Sequence, residues 1–69
     1  MEIIYTLHAK MRMLERIINE KEIEYILSNP DFVDAGRYKT LVASKIIGDK
    51  IIKIIYILQS NKIIVITVY

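Results

Sequence analysis

The sequence predicts an α+β domain in which two N-terminal helices pack on an antiparallel sheet, in the order β-α-α-β-β-β. Three observations predict it. Apolar residues recur at helical spacing between Leu7 and Leu27. Three β-branched runs, separated by two-residue turns, fill most of the second half. The whole chain of 69 residues has room for one core only, so residues 1–69 form a single domain.

Glu2 to Thr6 is a short β-branched and aromatic run and reads as the first strand. Thr6 can then cap a helix, its hydroxyl accepting from an orphan N–H of the first turn. Leu7, Met11, Leu14 and Ile18 follow at i, i+4, i+7 and i+11 and define one apolar face, widened by Met13 and Ile17. Asn19 reads as a break and a restart, because Asn is a strong N-cap and Glu22 stands at N3, where a capping box requires it. Ile18 and Ile23 flank that cap as a hydrophobic staple. The second helix, Glu20 to Ser28, should bury Ile23, Ile26 and Leu27, and Asn29-Pro30 ends it.

Asp31 to Gly36 reads as a loop. Strands are expected over Arg37–Ile47, Ile51–Gln59 and Lys62–Tyr69, with turns at Gly48-Asp49 and Ser60-Asn61. These strands do not alternate. Ile51, Ile52, Ile54 and Ile55 place apolar groups on both faces, a pattern found in sheets covered on both sides. Two short helices cover one face. The other requires the long Arg37–Ile47 strand to curl over, or a second protein chain, so a homodimer or a hetero-complex through the apolar sheet is expected.

Composition excludes several classes. With no cysteine and one histidine, neither disulfides nor a structural zinc site is expected. The apolar runs fall far short of the roughly 18 residues of a spanning helix, and the start lacks a signal-peptide pattern, so the reading places the chain in the cytoplasm, away from membranes. Abundant Ile, Lys and Glu suit a thermophilic source or an AT-rich genome. The net charge of +2 is unevenly spread: residues 1–34 hold 4 Lys/Arg against 7 Asp/Glu, residues 35–69 hold 6 against 1, and −3 plus +5 restores the total. A basic second half fits contact with phosphate or an acidic partner, and equally fits lysine protection of strand edges.

On the first helix His8, Arg12 and Arg16 stack at i, i+4 and i+8, with Glu15 near their edge. Like charges at this spacing repel by a few tenths of a kcal/mol, so a bound anion is one reason for them. Arginine offers planar paired donors for phosphate, and histidine is the side chain that ordinarily exchanges protons near neutral pH. The three therefore form a candidate catalytic group for phosphodiester chemistry; the plainer reading is a solvated basic stripe. Arg37, Lys39, Lys45 and Lys53, with Thr67 and Tyr69 on one face near the end, are candidate substrate-binding residues. Arg37, Lys39 and Lys45 should share a face by strand parity. Tyr5, Tyr25, Tyr38 and Tyr56 read as core or interface aromatics. No glycine-rich phosphate loop, Mg²⁺-type carboxylate cluster or nucleophile motif is present, so any catalysis is expected to need no metal and no cofactor.

His8-Ala9-x-x-Arg12-x-x-x-Arg16, a capped Glu-rich second helix, Asn29-Pro30 and a terminal Ile66-Thr67-Val68-Tyr69 together resemble the family called domain of unknown function 4258. The resemblance spans nearly the whole chain. That family is in turn similar to the BrnT and RelE toxins of toxin–antitoxin systems, which implies a strand, two helices and an antiparallel meander. It also implies metal-independent RNA cleavage, with basic residues on the scissile phosphate, and an antitoxin as protein partner. His8, Arg12 and Arg16 match its recurring positions. Ile17 departs from it, standing where glycine is frequent, and is expected to let the first helix run on to Asn19. The expected function is that of a toxin-like, RNA-directed protein, a ribonuclease in its strongest form. The alternative is a non-catalytic module for dimerisation or nucleic-acid binding.

Overall fold

The computed structural model describes residues 1–69. Its elements are β1 (Glu2–Tyr5), α1 (Leu7–Arg16), α2 (Glu20–Ser28), β2 (Phe32–Ala35), β3 (Leu41–Ile47), β4 (Lys50–Gln59) and β5 (Lys62–Val68). The α+β class and both helices are as expected. The segment read as a loop contains a further strand, β2, which pairs antiparallel with β3 from Phe32↔Ser44 to Ala35↔Leu41. The strand read as starting at Arg37 begins at Leu41, because residues 37–40 form the turn of this hairpin.

The five strands make one mixed sheet in the order β1-β5-β4-β3-β2. β2 to β5 form the antiparallel meander, and β1 lies parallel to β5. Since β1 and β2 occupy opposite edges, the α1–α2 pair connecting them must cross the sheet, and it does so on one face. The hairpin turns fall at Gly48-Asp49 and Ser60-Asn61, with positive φ at Gly48 and Ser60.

The core lies between the helices and that face: Ala9, Met13, Ile23 and Ile26 meet Ala43, Ile54, Tyr56, Val65 and Val68. Val65 and Val68 would point to opposite faces of a regular strand. A bulge at Ile66, where Tyr56 opposes Val65 while Ile55 opposes Thr67, turns both toward the helices.

The packed face of α1 agrees with the expected one at Met13, and just beyond the helix at half-buried Ile18, and differs elsewhere. Ala9 and Met13 are buried, whereas Leu7, Met11 and Leu14 are exposed, Leu14 at 80%. The cause is the single-residue connection from β1. Thr6 is pinned to β5, its N–H donating to the Val65 carbonyl and its hydroxyl to the Ile66 carbonyl at 2.8 Å, while the same hydroxyl caps α1 by accepting from the Ala9 N–H. This fixes the helix rotation, and small Ala9 lets the backbone lie close to β5. Ile17 does not extend α1 either. It closes it in the left-handed conformation (φ 57, ψ 50), and the Ile18 N–H returns to the Met13 carbonyl as in a Schellman motif.

No strand curls over the second face of the sheet. Ile4, Val42, Ile46, Ile55, Ile57 and Ile64 lie on it with no helix above them. Nor is any helix long and apolar enough to cross a membrane.

Candidate functional site

The parallel neighbour β1 stops at Tyr5, opposite Val65, and β5 runs on beyond it with an unpaired carbonyl edge. Two side chains close that edge. Thr6 bonds the Ile66 carbonyl, and one helical turn and a half later Arg12 Nε donates to the Val68 carbonyl at 3.3 Å. Arg12 Nη1 also reaches Glu15 Oε1 at 3.4 Å. The Arg12 guanidinium is thus held at the end of β5, with part of its donor fork left over.

His8 and Arg16 stand one turn before and one turn after it on α1, both exposed and neither in an ion pair. At about 100° per residue the three drift across an arc of about 80°, a row on one flank of the helix. Arg16, the last residue of α1, lines a hollow of about 540 Å³ with Ile18, Glu22, Lys50 and Ile52; this hollow includes neither His8 nor Arg12. The row is therefore an open surface feature without an enclosing pocket.

The other candidates separate into two groups. Lys53 and Tyr69 exchange both backbone hydrogen bonds, at 2.7 and 2.9 Å, so they are directly opposed, and Thr67 lies opposite Ile55; all three belong to the helix-free face. Arg37 joins them there, lining a hollow of about 360 Å³ with Val42, Ile55 and Tyr69. Lys45 does not share their face. It sits on the helix side, with Nζ 3.4 Å from Asp31 Oδ1 and 5.5 Å from the centre of the Tyr25 ring. Lys39 is in the β2–β3 turn, so strand parity does not apply to it or to Arg37. The sheet stands between the His8–Arg16 row and the Arg37–Lys53–Thr67–Tyr69 group; Arg12, at the β5 edge, is the member of the row placed nearest the strand end carrying Thr67 and Tyr69.

Asp31 closes the opposite edge of the sheet much as Arg12 closes β5. β2 begins opposite Ser44, leaving the Ile46 N–H beyond its reach, and Asp31 Oδ2 accepts that N–H at 2.7 Å. This bond first, and the Lys45 ammonium second, hold the Asp31 carboxyl below its ordinary value. Tyr5 is perturbed in the other direction. Its buried hydroxyl has no hydrogen-bond partner, and burial, reinforced by Glu20 and Glu24, pushes its pKa up to about 12. Burial also raises Tyr56. His, Asp and Glu residues nowhere gather in the threes that hold a metal ion.

Sequence reasoning missed Tyr38. It stands at the β2–β3 turn, 90% exposed and with φ 53, outside the core. No glycine, asparagine or proline marks residues 37–39, so the turn carried no local signal.

A comparison with protein families finds one matching model, described as "Domain of unknown function (DUF4258)", over residues 5–69. No curated protein and no solved structure matches.

Proposed function

The chain belongs to the DUF4258 family, and from that premise we propose that it is a toxin-like, RNA-directed domain whose His8–Arg12–Arg16 row grips an RNA phosphate. One observation carries the reading. The middle guanidinium is fixed to the β5 end by the Val68 carbonyl, while His8 and Arg16 beside it have no carboxylate partner. Arg12 is already held in place, so the free part of its donor fork can meet an anion at little further ordering cost.

In its strongest form the reading is a metal-independent endoribonuclease, similar to BrnT and RelE toxins. Arg12 and Arg16 would then neutralise the phosphate. His8 would take the proton of the 2′-hydroxyl, whose oxygen attacks phosphorus as the 5′-oxygen leaves with a proton from water. The open surface does not exclude water, so the row supplies phosphate binding first and proton transfer second.

The test is incubation of single-stranded RNA with the protein in EDTA, comparing wild type with His8→Ala and with Arg12→Gln/Arg16→Ala at matched folding. Glutamine at position 12 keeps a donor for Val68. The reading predicts binding that Arg12→Gln/Arg16→Ala weakens, and, if there is cleavage, its loss in His8→Ala. Binding equal in all three proteins would contradict it.

The helix-free sheet face favours a second reading, a protein-interaction module. Five strands at about 4.8 Å spacing and seven residues at about 3.3 Å give a face on the order of 500 Å² in projection, approaching the ~800 Å² of accessible surface each partner gives to a stable interface. Lys53, Lys62 and Arg37 border it against Glu2 and Asp34. The three cations outnumber the two carboxylates, so this surface favours an acidic, amphipathic segment of another chain, the part an antitoxin would play, over a second copy. The same surface carries Thr67 and Tyr69, so such a partner would also cover candidate RNA contacts.

A further inference from the structure

We propose that the tip of the β2–β3 hairpin is a base-stacking site for single-stranded RNA, in which the Tyr38 ring takes a nucleobase and Arg37 and Lys39 take flanking phosphates. This deepens the RNA-directed reading and rests on it.

The backbone at the hairpin tip is strained. The Thr40 N–H donates to the Arg37 carbonyl at 3.0 Å, and the Gly36 N–H to the Thr40 carbonyl at 2.8 Å, closing the hairpin. Both central residues are left-handed, Tyr38 at φ 53 and Lys39 at φ 64, the signature of a type I′ turn. Asn-Gly is what such a turn prefers, because a Cβ at positive φ crowds the backbone. A tyrosine and a lysine there are the costly choice.

The Thr40 hydroxyl donates to the Arg37 carbonyl and supports the turn, but neither left-handed side chain recovers its own cost inside the fold. The Tyr38 side chain is 90% exposed, and Arg37 and Lys39 on either side are exposed and form no ion pair. The result is a cation–aromatic–cation sequence held at the rim of the sheet. Beneath it lies the hollow of about 360 Å³, which brings a second ring, Tyr69, and the Thr40 side chain to the same place. The nearest carboxylate by register, Asp34 opposite Val42, does not line it.

An exposed ring between cations matches an unstacked base with its two phosphates. A duplex offers no free base face, so single strands are the substrate class. Stacking on a ring tolerates any base, so the site reads strandedness and not sequence.

The experiment is titration of the full chain with labelled single-stranded and duplex RNA in EDTA, followed by anisotropy, alongside chemical denaturation. Tyr38→Asn removes the ring, keeps the charge and suits positive φ. It should bind single strands about tenfold more weakly, as loss of one stacked base implies, while unfolding at equal or higher denaturant. Tyr38→Phe keeps a ring and should keep the affinity. Duplex binding should be the same in both. Wild-type affinity in Tyr38→Asn, with weakened binding in Arg12→Gln/Arg16→Ala, overturns the hairpin site and leaves the RNA reading standing. Lost binding together with lost stability in Tyr38→Asn makes the residue structural and also overturns the site. No RNA binding by wild type overturns both.

Discussion

Ile17 shows how one residue can hold a position that its side chain resists. A β-branched residue at φ 57 with 88% of its surface exposed gains little from packing, and a left-handed conformation costs an L-residue about 1–2 kcal/mol. Glycine adopts it freely but loses about 0.5–1 kcal/mol of chain entropy, so Ile17→Gly should raise stability by about 1 kcal/mol in a denaturant melt. Tyr5 makes a second residue-scale prediction. Its buried hydroxyl lacks a partner, so Tyr5→Phe should stabilise by about 1 kcal/mol. Because its folded pKa is raised, its contribution is complete below pH 10 and is lost as pH climbs toward about 12. Wild type should weaken in that window more steeply than Tyr5→Phe, which retains only the same-signed effect of Tyr56. Asp31 has the opposite sign. Its folded carboxyl is lowered, so its support is present above the ordinary carboxylate value and disappears as pH falls through the folded one. Acid melts of Asp31→Asn should show a shallower loss below about pH 4 than wild type.

Among the elements, legibility followed how local the determining contacts are. The Asn19 start of α2 could be read directly, because both hydrogen bonds of its capping box, to and from Glu22, connect residues three apart. The Gly48-Asp49 and Ser60-Asn61 turns were legible for the same reason. The rotation of α1 was not. It is set by Thr6 and Arg12 bonding carbonyls some sixty positions away, at Ile66 and Val68, and these contacts outweigh the apolar period of Leu7, Met11 and Leu14. The Ile66 bulge and the short β2 hairpin depend likewise on distant partners, and strand parity failed for Arg37 and Lys39 because the turn between them was unmarked. The rotation makes a direct prediction. Met13→Ala should cost about 2–3 kcal/mol, since it empties a buried site. Leu14→Ala, one residue on, should change stability by less than about 0.5 kcal/mol, since its side chain is already in solvent. Equal losses at the two positions in paired melts would mean that α1 is turned as its sequence period suggests.

The whole molecule places its candidate residues in two separated groups. The helices occupy one face of a mixed sheet and carry His8, Arg12 and Arg16; the other face is uncovered, apolar at its centre, and carries Lys53, Thr67 and Tyr69 with Arg37 at its rim. The residue types of both groups were readable in the sequence, but the sheet that divides them was not, since it required knowing on which side each strand residue falls. Only two of the cations, Arg12 and Lys45, form ion pairs, which leaves Arg16 on one side and Arg37 and Lys53 on the other free to meet an anion. The claim that the α1 row grips RNA phosphate is tested most directly by the salt dependence of single-stranded RNA binding. Each neutralised phosphate contributes about −0.7 to the slope of log K against log salt. Arg12→Gln/Arg16→Ala should therefore bind more weakly, with a slope shallower than wild type by about 1.4. A slope and affinity unchanged by removing both guanidinium groups would contradict the account.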